Sequence, residues 1–150
     1  MYKHARILVI DDDESITNTM KAILEDEGYI VDLAATGREA IKRTEETAYN
    51  VALIDIRLPD MEGVELLRLM KDAVPRTRKI MMTGYPSMQN AVAALNKNAD
   101  VYLIKPVDIE KLLSTLKEQL QLQENEREFS EQKVADFIET RVKEFSVAHI

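Results

Sequence analysis

Residues 7–14 read ILVIDDDE, an unbroken apolar run of four that passes directly into a cluster of acids. A short run without polar alternation is typical of a strand that other elements cover on both faces. Four residues are too few for the apolar segment of a signal peptide, and charge follows them at once. The stretch therefore predicts a buried strand with carboxylates at its carboxyl end.

Four further apolar runs follow along the chain, at residues 29–31, 51–54, 79–82 and 101–104. Between and after these runs, apolar residues recur at the spacing of helices. The five stripes are Ile16, Met20, Ile23 and Leu24; Ala40, Ile41 and Thr44; Val64, Leu67, Leu69 and Met70; Met88, Val92 and Leu95; and Ile109, Leu112, Leu113, Leu116 and Leu120. Five strand–helix repeats predict an α/β fold with a parallel sheet and helices on both faces.

Polar residues follow four of the five predicted strands: Asp11 and Asp12, Asp55, Thr83, which precedes Gly84, and Lys105, which precedes Pro106. In α/β folds, ligand sites lie at this carboxyl edge of the sheet. Carboxylates brought together there repel by roughly 4 kcal/mol a pair at about 4 Å and an effective dielectric of about 20. An all-oxygen site beside a phosphate favours Mg²⁺, and a carboxylate can attack phosphorus to form an aspartyl phosphate. The constellation predicts metal-assisted phosphoryl transfer onto an aspartate.

Composition restricts the class of protein. The chain has 150 residues, no cysteine, and a net charge of −7 from 20 basic and 27 acidic residues. This length fits one domain with a short appendage, and the acidic balance argues against direct binding to nucleic acid. No apolar stretch approaches the roughly 18 residues of a membrane span. We therefore expect a cytoplasmic protein with no direct nucleic-acid or membrane partner.

The chain resembles the receiver domain of two-component response regulators, over roughly residues 5–120. Four stretches in family order carry the resemblance: residues 7–14 (ILVIDDDE), 51–63 (VALIDIRLPDMEG), 81–84 (MMTG) and 100–106 (DVYLIKP). The resemblance implies a flavodoxin-like sheet of five parallel strands in the order 2-1-3-4-5, as in chemotaxis regulators. It also implies a phosphoprotein that serves as a phosphorelay switch. Its own chemistry would be limited to self-phosphorylation from a donor and slow autodephosphorylation.

The resemblance assigns roles to the residues at the strand ends. Asp55 matches the phosphoacceptor, which takes its phosphoryl group from a sensor histidine kinase or a phosphotransfer protein. Asp11 and Asp12 match the acidic pair that positions Mg²⁺, or Mn²⁺, together with Asp55 and the backbone carbonyl of Arg57. Lys105 matches the phosphate-binding lysine.

Two further residues match the family's switch pair, the hydroxyl of Thr83 and the aromatic ring of Tyr102. In the family this pair changes the face formed by the fourth helix, the fifth strand and the fifth helix, which a downstream protein target reads. The Lys105–Pro106 bond is expected to be cis, and Gly84 to be structural. Arg57 and Tyr85 occupy variable family positions that tune the lifetime of the phosphoryl group.

Simpler interpretations remain for each residue. Asp11 and Asp12 could cap the first helix, as we expect of Asp13. Thr83 could be an ordinary strand residue, Lys105 a solvated lysine, and Tyr102 a core aromatic.

Two other functions remain as alternatives. A Mg²⁺-dependent aspartyl-phosphate phosphatase of the haloacid-dehalogenase type would also use an aspartate nucleophile on a parallel sheet. That family requires a second aspartate two residues after the nucleophile, where this chain has Arg57. A receiver-like scaffold that is not phosphorylated is the second alternative, but such chains lose part of the site that this chain retains.

The carboxyl-terminal part of the chain differs in character, since residues 107–150 contain neither glycine nor proline. This predicts helix. We divide the chain into a receiver domain, 1–120, and a helical extension, 121–150, without a recognisable output domain. The sequence fits either a stand-alone receiver or the front of a longer regulator.

A second apolar stripe follows in this extension, at Val134, Phe137, Ile138, Val142 and Phe145. A helix from about residue 109 to the end would span roughly 60 Å, longer than the domain, so the second stripe cannot lie on the core. It either folds back as an extra helix or pairs with a second copy. The lack of turn residues favours a homodimer through the C-terminal helix.

Overall fold

The computed structural model describes residues 4–70, 75–84, 87, 93 and 99–148, with the backbone alone for 147 and 148. The strands are β1 (Arg6–Ile10), β2 (Ile30–Ala34), β3 (Val51–Asp55), β4 (Arg78–Thr83) and β5 (Val101–Ile104). The helices are α1 (Glu14–Asp26), α2 (Gly37–Glu46), α3 (Gly63–Leu69) and α4 (Ile109–Ala148). The predicted helix through Met88, Val92 and Leu95 lies outside the described residues, as does Tyr85. The fifth predicted helix is α4.

The five strands form one sheet in the order β2-β1-β3-β4-β5, and every neighbouring pair is parallel. This confirms the predicted α/β fold and its strand order. The order reverses between β1 and β3, which lie side by side with Ile10 opposite Ile54. The loops that leave these two strands therefore begin next to each other, at the position where such folds bind ligands.

Each strand contributes side chains to two cores because successive residues point to opposite faces. On one face, Ile7 and Val9 of β1 pack with residues of α1 and α4, including Met20 and Leu112. On the other face, alternate strand residues pack against α2 and α3 in a second cluster. Helices on both faces explain why the strands read as continuous apolar runs.

The helix starts follow their capping residues. The Asp13 carboxylate accepts a hydrogen bond from the Ile16 N–H at 3.2 Å, which confirms Asp13 as the cap of α1.

The predicted stripe on α3 was wrong at one position. Leu66 is fully buried, whereas Leu69 is 41% exposed, because Leu66, Leu67 and Met70 share the face that meets the sheet.

Helix α4 runs for 40 residues without interruption, which confirms the predicted long helix. The alternative in which the extension folds back is wrong, since no turn breaks this helix. Every residue from 128 to 146 is exposed. None of the described helices is long and apolar enough to cross a membrane.

The helix remains attached to the domain past residue 120 through a buried amide, Gln123, which is 4% exposed. Its Nε2 donates to the carbonyls of Asn50 at 2.9 Å and Arg76 at 2.8 Å. Its Oε1 accepts from the Asn50 side chain at 2.9 Å. These bonds hold α4 against the amino-terminal edge of the sheet, opposite the edge that carries Asp11 and Asp55.

A buried cation, Arg78 at the start of β4, makes a second attachment. Its Nε donates to Gln119 Oε1 at 2.9 Å, and its NH1 donates to Glu126 Oε1 at 2.6 Å. Asp100 lies 3.4 Å from the same guanidinium and also pairs with Arg76. The bonds of Arg78 to Gln119 and Glu126 therefore fix α4 to the sheet edge at the point where the helix leaves the domain.

Candidate functional site

Three carboxylates meet where β1 and β3 end. Asp11, Asp12 and Asp55 each offer an oxygen, and these oxygens all lie within 4.8 Å of one another. Asp11 is held one residue past β1 because its N–H donates to the Ala34 carbonyl at 3.1 Å. The side chains of Asp11 and Asp55 are 1% and 14% exposed, whereas Asp12 is exposed. The cluster predicted from the sequence is therefore present.

Lys105 reaches this cluster from the end of β5. Its ammonium lies 2.6 Å from Asp11 Oδ2 and 3.7 Å from Asp55 Oδ1. The Lys105 N–H donates to the Thr83 carbonyl at 2.7 Å, so the sheet ladder positions the lysine. The Lys105–Pro106 peptide bond is cis, as the resemblance implies. Lys105 is thus an ion-pair partner in the site and not a solvated lysine.

The electrostatics of Asp55 reflect this crowding. Burial and the neighbouring charge of Asp11 raise the pKa of the Asp55 carboxyl above its usual value, and Asp12 adds to the effect. The Lys105 ammonium and a hydrogen bond from the Arg57 N–H act in the opposite direction. Asp55 is therefore a carboxylate held in a place that disfavours its charge, which an additional cation would relieve.

The loop after Asp55 passes very close to its backbone at Gly63. A Cβ at position 63 would lie 2.3 Å from the Asp55 carbonyl oxygen and 2.9 Å from the Ile56 Cα, both backbone atoms that cannot move aside. The Gly63 N–H also donates to the Ile56 carbonyl at 2.6 Å. Gly63 is a structural residue of the site that sequence reasoning did not single out. At Gly84, by contrast, a Cβ would meet no described atom within 4 Å.

A second residue that sequence reasoning missed is Asp60, in the same loop. Its two oxygens accept from the Gly37 N–H at 2.8 Å and the Arg38 N–H at 3.0 Å, the first residues of α2. These bonds lower the pKa of the Asp60 carboxyl, and the bond from Gly37 has the largest effect. Asp60 therefore ties the loop of the phosphoacceptor candidate to a neighbouring helix start.

Thr83 and Tyr102 lie on one face of the sheet. Thr83 ends β4 and is fully buried. Tyr102 lies opposite Met81, two residues before Thr83, so the pleat directs both side chains to the same face. The Tyr102 ring packs against the core under α2 and α3, and its buried hydroxyl has no hydrogen-bond partner within the described part of the chain. The two candidate switch residues are therefore diagonal neighbours on adjacent strands, and the Tyr102 hydroxyl is a polar atom buried on the face that they share.

The described residues fit a divalent metal ion. The donors are hard carboxylate oxygens, the type that Mg²⁺ binds. Lys105 supplies one positive charge against three carboxylates, so the formal charge of the cluster is negative and a divalent cation would neutralise it. A cluster of this kind can hold a cation and present one carboxylate oxygen to an incoming phosphoryl group.

The sheet order, the three carboxylates and Lys105 define a parallel α/β domain with an acidic site at the carboxyl edge of its sheet. The chain matches the family model of the response regulator receiver domain over residues 7–117. It therefore belongs to the response regulator receiver family.

Individual relatives agree with this assignment. The transcriptional regulatory protein ZraR of Klebsiella oxytoca is 42% identical over 114 residues, which cover 76% of this chain and 26% of ZraR. The chain thus spans about a quarter of that regulator's length.

Two solved structures are also similar. A response regulator receiver domain protein (CheY-like) from Methanospirillum hungatei JF-1 is 48% identical, with a TM-score of 0.79 over 83% of this chain and 99% of that one. The beryllofluoride-activated NtrC4 receiver domain dimer is 41% identical, with a TM-score of 0.73 over 79% and 98%.

Proposed function

We propose that this chain is a phosphorelay switch in which Asp55 accepts a phosphoryl group from a phosphohistidine of a sensor kinase or a phosphotransfer protein. A carboxylate oxygen of Asp55 attacks phosphorus, the bond from phosphorus to the donor imidazole breaks, and the imidazole leaves. The observation that carries the proposal is the convergence of Asp11, Asp12 and Asp55 within 4.8 Å beside Lys105.

The surrounding residues have separate tasks in this proposal. Asp11, Asp12, Asp55 and the backbone carbonyl of Arg57 would hold Mg²⁺ or Mn²⁺, which neutralises charge between the carboxylates and the phosphoryl oxygens. Lys105, 3.7 Å from Asp55, is close enough to contact a phosphoryl oxygen on that residue. The Thr83 hydroxyl would donate to another phosphoryl oxygen.

The output of the switch would pass through Thr83 and Tyr102. When the Thr83 hydroxyl turns toward the phosphoryl group, the space beside the Tyr102 ring changes. The ring position would bias two states of the face that includes β5 and the start of α4, which a downstream protein target reads.

Two alternatives predict different chemistry. A phosphatase of the haloacid-dehalogenase type needs an acid–base carboxylate two residues after the nucleophile, and Arg57 cannot supply one. An unphosphorylated scaffold would not need to retain a carboxylate cluster that is costly to assemble without a cation. We therefore favour a switch that takes one phosphoryl group and releases it slowly.

A second copy of the chain is the other proposed partner, bound through the exposed stripe of α4, whose five members are 56% to 64% exposed. The similar NtrC4 receiver domain is a dimer in its activated form.

Three further expectations stay predictions. These are the division at residue 120, the cytoplasmic location and the absence of direct nucleic-acid contacts.

Beryllofluoride, a phosphoryl mimic, tests the proposed site without a cognate kinase. We expect NMR shifts around Asp55, Thr83 and Lys105 that need both beryllofluoride and Mg²⁺, and that Asp55→Asn abolishes. Asp13→Asn is the matched control, because asparagine caps helices as well as aspartate does and Asp13 lies outside the carboxylate cluster. A response that survives in Asp55→Asn, or that needs no divalent ion, would refute the proposal.

A further inference from the structure

The exposed stripe of α4 lies where its own domain cannot cover it. The last described contact between the helix and the sheet edge is the pair formed by Glu126 and Arg78. Beyond it, Val134, Phe137, Ile138, Val142 and Phe145 are each 56% to 64% exposed. Because a helix turns about 100° per residue, these five residues fall on one side, the side that carries Leu112 and Leu116 within the domain. Phe129, stacked under the Lys133 ammonium at 5.1 Å, lies on another side and is not part of the stripe.

The spacing of the stripe is symmetric along the helix. With Arg141, which falls on the same side, the positions are 134, 137, 138, 141, 142 and 145, with successive intervals of 3, 1, 3, 1 and 3. The pattern is the same in both directions, with its centre between Glu139 and Thr140. A twofold interface requires a surface that is complementary to itself, and a symmetric stripe provides this for antiparallel helices.

We infer that α4 pairs with α4 of a second copy in antiparallel orientation, about a twofold axis between residues 139 and 140. This rests on the proposed dimer and specifies its geometry. Val134 then lies opposite Phe145 of the other copy, Phe137 opposite Val142, and Ile138 opposite Arg141. Each of these three pairings occurs twice, in mirror order about the axis, and each contains at least one large apolar side chain.

Arg141 distinguishes this arrangement from a parallel pair in register. In a parallel pair, Arg141 would share a layer with Arg141 of the other copy, and like charges would meet within an apolar seam. In the antiparallel pair, Arg141 lies against Ile138 of the other copy. It also retains its contacts with its own helix, to Glu144 at 3.4 Å and over the Phe137 ring at 5.2 Å.

The acidic stretch before the stripe favours the same orientation. Residues 124–131 contain four glutamates and one arginine. A parallel pair would place two copies of this stretch side by side, next to two receiver domains that are themselves acidic. The antiparallel pair leaves all but the last residue of each stretch outside the overlap of the described helices and puts the domains at opposite ends, so repulsion between them is smaller.

The area is sufficient for a specific but modest interface. At roughly 150–200 Å² for each large apolar side chain, about 60% exposed, the stripe would bury about 500 Å² on each copy and about 1,000 Å² in all. This is the lower limit for specific association, so we expect a dimer whose population depends on concentration in the micromolar range.

Cysteine cross-linking of the full chain tests the orientation, because the chain contains no cysteine of its own. Val134→Cys and Phe145→Cys are prepared singly, mixed, and oxidised under mild conditions at tens of micromolar. We expect disulfide-linked dimers that join position 134 to position 145, and at least ten-fold fewer dimers from either variant alone. Both substitutions lie outside the core, and circular dichroism verifies that the fold is retained.

Three results would overturn the inference. Cross-linking of each variant mainly to itself would show a parallel pair. Absence of cross-links with the full chain monomeric by light scattering would exclude the dimer. Cross-linking between 134 and 145 that is unchanged when Arg141→Glu is added to Val134→Cys would show that the stripe does not form the contact, since a glutamate buried between the two helices should weaken it at least ten-fold.

The proposed switch can fail separately from this inference. The cross-linking uses no phosphodonor and no divalent ion. If the 134–145 link forms but Asp55 binds no beryllofluoride, the geometry of the dimer stands and the phosphoacceptor function is refuted.

Discussion

The Lys105 ammonium lies closer to Asp11, at 2.6 Å, than to Asp55, at 3.7 Å. The lysine thus pairs first with the carboxylate of β1, and it is only a partial counter-charge for the phosphoacceptor candidate of β3. A phosphoryl group on Asp55 would present new anionic oxygens on that side of the ammonium. The lysine is therefore placed to move a short distance toward Asp55 when that residue is modified.

Replacement of this lysine tests its electrostatic role. In Lys105→Met, we expect the pKa of Asp55 to rise above its already raised value, because the ammonium lowers it in the wild type. Carboxyl NMR titration without divalent ions measures the change. Lys21→Met, which replaces a half-exposed lysine of α1 that pairs with Glu25, is the control and should leave the Asp55 titration unaltered. A lower pKa of Asp55 in Lys105→Met would contradict the geometry.

Removal of the Asp55 charge is expected to stabilise the fold at neutral pH when no divalent ion is present. Burial and Asp11 raise the pKa of Asp55, so its ionised form opposes folding. Below the unfolded-state pKa the Asp55 carboxyl is protonated in both states and does not oppose folding. This stability is lost as pH rises through the folded-state pKa. Asp55→Asn should therefore gain on the order of 1 kcal/mol at about pH 7, and the gain should shrink as pH falls.

Thermal unfolding at several pH values measures this effect. Asp13→Asn is the control and should change stability by less than about 0.5 kcal/mol, because it preserves the cap of α1. A less stable Asp55→Asn at neutral pH would show that Lys105 more than compensates the carboxylates.

The switch pair can be separated from the chemistry at Thr83. Thr83→Ala should still take the beryllofluoride or phosphoryl group, but it should lose the NMR changes at Tyr102 and along β5. Thr83→Ser retains the hydroxyl and should keep those changes. Identical responses of the alanine and serine variants would reject Thr83 as the link.

Much of the site could be predicted from the sequence because strand ends are visible in it. The run 7–14 passes from apolar to acidic at the point where β1 ends, and the same change marks Asp55 at the end of β3. Parallel strands place such ends together, which is why local patterns were enough to predict that Asp11, Asp12 and Asp55 meet.

Other features depend on contacts between residues far apart in the chain. The need for glycine at 63 arises only where its backbone meets that of Asp55. Arg78 is buried because Gln119, 41 positions later, and Glu126 satisfy its guanidinium. A cation at the start of a strand ordinarily predicts exposure, so no local pattern indicated that α4 is anchored beyond residue 120.

The anchor at Gln123 is itself testable. Gln123→Ala removes the three hydrogen bonds that this buried amide makes with Asn50 and Arg76, so we expect a loss of about 1–3 kcal/mol. Hydrogen exchange should become faster at residues 119–126, while the Asp55 site is unaffected. Gln121→Ala, an exposed change on the same helix, should have a small effect on both. Equal exchange in the two variants would show that Gln123 does not hold the helix.

The proposed switch depends on Asp55 as the residue that accepts the phosphoryl group. The most direct measurement is mass spectrometry of the full chain after incubation with acetyl phosphate and Mg²⁺, with the modified residue located by fragmentation after borohydride reduction of the acyl phosphate. We expect at most one phosphoryl group per chain, located at Asp55, absent from Asp55→Asn and strongly reduced by a chelator. Modification at another residue, equal modification of Asp55→Asn, or modification that a chelator does not diminish would contradict it.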